Sequence, residues 1–87
     1  MTNEARGQYL KQLREAARLG VRDIADEFGM SRQQILNYED GSTPVGAEKF
    51  IELVTAINER HNRMVEEYKR VLGSLSTSEI AEAAEVS

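Results

Sequence analysis

Residues 28–41 read FGMSRQQILNYEDG, and the fold turns on how they are parsed. Gly29 interrupts a helical pattern. Two residues later Ser31 offers a side-chain oxygen that can start a new helix. That helix opens with Arg32, Gln33 and Gln34, all long and polar, and turns Ile35 and Tyr38 inward. Gly41 follows, the residue type that commonly closes a helix. Working back, Ile24, Ala25 and Phe28 have the spacing of a shorter helix before the turn, with Gly20 as its N-cap. Ala25 is small where the two helices would cross. Gly29, four residues on, stands where the turn needs a left-handed residue. Ile24, Phe28, Met30, Ile35 and Tyr38 fill the apolar inner positions, and no proline falls between Val21 and Glu39.

Outward from this stretch the chain stays helical. Tyr9, Leu10, Leu13 and Ala17 share one face of a first helix. The only proline, Pro44, marks a loop in DGSTPVG. Beyond it Phe50, Val54, Ile57, His61, Met64, Tyr68, Val71 and Leu75 lie alternately four and three apart, a heptad seam with one polar member. Gly73 is expected to end that helix, leaving Leu75 off it. Two readings stand for residues 47–72: one long helix, or a break near Asn58 with the second part folded back on its own domain. STSEIAEAAEVS, at the C-terminus, reads as a short capped helix from Thr77 or Ser78, or as a frayed tail. The expected organisation is residues 1–57 as the main domain, 58–75 as a helical extension for dimerisation, and 76–87 as short helix or tail.

Composition narrows the function. The 87 residues suit one small domain with a marginal core, for which a second copy is a plausible stabiliser. The absence of cysteine excludes disulfides and thiolate metal sites, and a lone histidine gives no histidine cluster. No metal site or cofactor is expected. No Ser-His-Asp or Cys-His set points to an enzyme, and EDGSTPVG lacks the lysine and spacing of a phosphate-binding loop. No apolar run could span a bilayer and no leader is evident, so a soluble cytoplasmic protein is expected. The net charge of −4 divides unevenly: residues 1–45 hold six basic and seven acidic side chains, residues 46–87 five and eight. The acidity therefore leans toward the C-terminal half. The N-terminal half is near neutral and has room for a local basic face.

Three short helices with a tight turn between the second and third form a helix-turn-helix. From about Gln8 to Ile57, through LKQLREAARLG, DIADEFGMSRQQILNYEDG and FIELVTAI, the chain resembles the lambda-repressor-like (Cro/cI, XRE) family. The resemblance implies an all-α bundle of about five helices, here with a C-terminal helical extension. It implies a homodimer that regulates transcription, as a repressor, at a two-fold, inverted-repeat site in double-stranded DNA. On this likeness the third helix enters the major groove with Arg32, Gln33, Leu36 and Asn37 outward. Arginine suits guanine, glutamine and asparagine suit adenine, and leucine a thymine methyl. Gln34, Gly41 and Ser42 match positions that meet phosphate, and Arg14 with Glu39 match a buried ion pair from the first helix to the end of the third. The sequence departs from the family at the start of the second helix. Gly20 and Val21 stand where a Ser or Thr followed by a phosphate-binding Gln is usual.

Arg18, Arg22 and Lys49 are further phosphate candidates, Arg22 in place of the missing glutamine. Without the motif, Arg32, Gln33 and Asn37 would read as a solvated helix face. Leu36 is as well suited to packing as to base contact. The seam beyond the main domain, His61, Met64, Tyr68, Val71, Leu72 and Leu75, is the expected dimer interface. A second class of function stays open: a protein-binding module on the same fold, such as an antitoxin or adaptor, holding a partner through its acidic C-terminal half.

Overall fold

The computed structural model describes residues 1–86. It contains five α-helices: α1 (Asn3–Ala16), α2 (Val21–Phe28), α3 (Arg32–Glu39), α4 (Ala47–Gly73) and α5 (Thr77–Val86). Each boundary has a local cause. The Thr2 side chain caps α1 by accepting from the Ala5 amide at 3.0 Å. Gly20 precedes α2, and its amide donates to Asp23 Oδ2 at 2.8 Å. Gly29 adopts φ 62°, ψ 30° and ends α2. Next to it the Met30 amide returns to the Ala25 carbonyl at 2.9 Å, closing the helix end as the chain turns.

The core forms where α1 and α2 each pack on α3 and α4. Leu10, Ile24, Ala25, Ile35, Leu53 and Ile57 are buried there, together with Leu19 from the α1–α2 connection and Val45 from the loop before α4. Val45 is fully enclosed at 0% exposure. Arg6 Nη1 pins that loop by donating to the Val45 carbonyl at 2.9 Å. Burying a side chain of this size stabilises by about 1.5–3 kcal/mol, so the loop is part of the core. Gly7 allows α1 to lie against the end of α3: a Cβ there would run into the Tyr38 carbonyl.

Helix α4 is continuous, which selects the reading of one long helix over a break near Asn58 with a fold-back. Its buried residues are Leu53, Ala56 and Ile57, while Phe50 and Val54 are half-buried. The strict seam overlooked Leu53 and Ala56, because a helix packed against two neighbours buries a wider stripe than a coiled-coil edge. Nor does the bundle end at Ile57. Arg60 reaches Asp23 (3.5 Å) and Glu27 (3.6 Å) on α2, and Arg63 reaches Glu27 (3.3 Å). His61, expected at a dimer interface, has Nδ1 3.2 Å from the Ala17 carbonyl, so it is held by its own bundle.

Beyond Arg63 the helix projects, and the molecule measures 54 × 24 × 22 Å. Met64, Tyr68, Val71 and Leu72 are exposed. Leu75 is exposed too and lies past the helix end at Gly73. The C-terminal stretch is helical as α5, and residues 77–85 are exposed; Ser87 lies outside the described residues. No helix among the described residues is long and apolar enough to cross a membrane.

Candidate nucleic-acid interface

Helix α3 is set up from its first residue. Ser31 Oγ accepts from the Gln34 amide at 3.1 Å, and Gln34 Oε1 accepts from the Ser31 amide at 2.8 Å. This reciprocal cap fixes where the helix starts and therefore which side chains face out. Arg32, Gln33 and Leu36 are exposed and Asn37 is half-buried, while Ile35 between them is anchored in the core. Gln33 Nε2 donates to Asn37 Oδ1 at 2.9 Å. The bond leaves Gln33 Oε1 free to accept and Asn37 Nδ2 free to donate. Adenine presents the opposite pair, N6–H and N7, in the major groove. Arg32 has no ion-pair partner among the described residues, so its guanidinium is available to an external acceptor.

The far end of α3 is fixed to α1 by a two-pronged ion pair. Arg14 Nε donates to Glu39 Oε2 at 2.8 Å and Nη2 to Oε1 at 2.9 Å. Nη1 donates to the Leu19 carbonyl at 3.0 Å. Only 10% and 5% of the two side chains is exposed. The hydrogen bonds from Arg14 to Glu39 raise the guanidinium's pKa further, against the opposing effect of burial. No buried side-chain polar atom lacks a partner among the described residues. A void at this point of the core measures about 10 Å³, room for no more than a water.

The phosphate candidates are scattered. Gln34 has its carbonyl oxygen committed to the cap. Ser42 has its amide committed to Asp40 Oδ1 at 2.8 Å. Bonds from the Ser42 hydroxyl and then its amide hold the Asp40 carboxyl below its usual range, so an anion stands next to Gly41 and Ser42. That works against a phosphate there. Lys49 pairs with Glu52 at 3.1 Å and lies over the Phe28 ring, 5.6 Å from its centre. Arg22 is exposed near the start of α2, a loose 3.9 Å from Asp26. Arg18 is exposed in the α1–α2 connection with φ 62°.

A cation missed in the sequence is Lys11. It lines a groove of about 300 Å³ between α1 and α3 with Arg14, Gln33, Leu36, Glu39 and Asp40. Nothing in the spacing of α1 marked it; only the crossing of α1 with α3 brings it beside the outward residues.

A capped helix with an exposed polar face, held against a second helix across a left-handed glycine turn, defines a DNA-binding helix-turn-helix protein. A family model described as a helix-turn-helix domain matches residues 7–59, more than half the chain, and the protein belongs to that family. The match is consistent with the lambda-repressor-like resemblance and covers most of α1, all of α2 and α3, and the half of α4 that carries core residues. Searches of curated proteins and of solved structures returned no match.

Proposed function

We propose that this protein is a sequence-specific transcriptional regulator, a repressor, acting in the cytoplasm as a homodimer on an inverted-repeat operator. One observation carries the reading: the fixed, outward set Arg32, Gln33, Leu36 and Asn37 on a capped α3, with the Gln33–Asn37 bond leaving an acceptor and a donor free. Arg32 reads guanine, the Gln33–Asn37 pair reads adenine, and Leu36 meets a thymine methyl. Arg22 and Lys11 are the best available phosphate contacts. Support for a homodimer comes from the apolar side chains of distal α4, which are exposed in a single chain; contiguous exposed apolar surface marks an interaction site.

The test is operator binding by Arg32→Ala and Gln33→Ala. Each should lose about 1–3 kcal/mol of specific binding and relax preference at one base pair per half-site. Both side chains are exposed, so the fold should persist. Unchanged affinity in both variants would overturn the reading. The exposed, acidic α5 favours a second reading, a protein-binding module. Loss of regulation on removing residues 77–87, with both α3 variants silent, would select it.

A further inference from the structure

Three features stand outside the DNA-reading face. The first is a groove of about 180 Å³ between α1 and α4, lined by Leu13, Ala16, Ala17, Ile57, Asn58 and His61. The second is the apolar face directly above it, where Met64, Tyr68, Val71, Leu72 and Leu75 are 42–67% exposed. Ile57 and His61 precede Tyr68 by eleven and seven residues, both close to whole helical turns, and Leu75 lies just past the end of α4. The face therefore runs down α4 into the groove. The third is α5, which carries Glu79, Glu82 and Glu85 and no basic residue. Next to the groove's Ala17 stands Arg18, exposed and without an ion-pair partner among the described residues.

We propose that the groove seats the α4–α5 tip of a second copy, in an antiparallel pair of α4 helices centred on Tyr68. This rests on the homodimer reading above and specifies its geometry. With the two-fold axis at residue 68, residue 75 of one chain faces residue 61 of the other. Leu75 of the second copy then meets His61, and the start of its α5, with Ile80, meets Ile57 and Ala16. Each tip fills the other's groove, so one contact is made twice, as a two-fold interface requires. The glutamates of α5 come to the side where Arg18 stands unpaired. A parallel pair would leave both grooves open and set the two acidic α5 helices side by side. The antiparallel pair also separates the two Ile57 positions by about 33 Å at 1.5 Å per residue, close to one turn of DNA.

The chain has no cysteine, so introduced thiols report the arrangement directly. His61→Cys is mixed with Leu75→Cys, one of them tagged, and oxidised mildly. Met64→Cys with Leu72→Cys is a second pair on the same axis, with both positions on α4, in case His61→Cys weakens the fold. A disulfide needs Cα atoms within about 7 Å. The expected result is cross-linking between the two variants of each mixture and little within Leu75→Cys alone. Efficient Leu75→Cys self-cross-linking without mixed products means a parallel pair and overturns the proposal. Sedimentation of the unaltered protein separates the two levels. A dimer that yields no mixed product overturns the arrangement alone, whereas a monomer at all concentrations overturns the homodimer reading as well.

Discussion

At Glu39 a single proton's worth of charge decides whether α1 and α3 stay joined. Arg14 is buried and its pKa is raised, so the stability that its charge contributes is present below the ordinary arginine value and is lost as pH rises through the raised value. Glu39→Gln therefore leaves Arg14 charged and without its partner at every usual pH. The expected loss is about 3–5 kcal/mol, read as a lower midpoint in a urea melt. A second residue bears on the proposed DNA contact. Asp40 is exposed and ionised beside Gly41 and Ser42. Its pKa is lowered in the folded chain, so what it contributes to stability is present above the ordinary carboxylate range and fades as pH falls through the folded value. Asp40→Asn keeps an oxygen for the Ser42 amide and removes the charge. Operator binding by fluorescence anisotropy should tighten by a few-fold, because a charge that repels phosphate is gone.

At the scale of helices, two glycines separate steric from backbone requirements. Gly29 has open space around it, and only its φ of 62° resists a side chain. Gly29→Ala should lose about 1–2 kcal/mol. Gly7 has an ordinary backbone but faces the Tyr38 carbonyl, so Gly7→Ala must lift α1 off the end of α3. Overpacking of this kind costs about 1–3 kcal/mol, and it should also weaken operator binding, because α3 moves. Thermal melts paired with anisotropy distinguish the two variants. The same contrast explains what the sequence made legible. Gly29, Ser31 and the apolar residues around them act through neighbours a few positions away, so the helix-turn-helix could be read directly. Gly7, Leu19, Val45 and Arg6 act through contacts across 25 or more positions or within connections, where no periodicity marks them. On the candidate site, spacing alone puts Arg32, Gln33, Leu36 and Asn37 on one side of α3. It says nothing of Lys11 beside them, nor that Ser42 and Gln34 are already engaged by Asp40 and Ser31.

Taken whole, the molecule is a bundle with a mast: α4 begins among the core residues and leaves the bundle past Arg63, reaching Gly73 as the same helix. Most of the acidic excess lies in this half of the chain, α5 included. An unbroken helix with one end enclosed and the other bare also has a dynamic consequence. Every backbone amide along it makes the same kind of bond, yet opening one near Leu53 requires disrupting the core, while opening one near Val71 exposes nothing further. Amide hydrogen exchange should thus show protection falling steeply along α4, from global unfolding free energy at Leu53 and Ile57 to local fraying near Leu72. The slope would report concentration. Association of two chains through the mast would slow exchange from Met64 onward and leave the values at Leu53 near those set by the bundle itself.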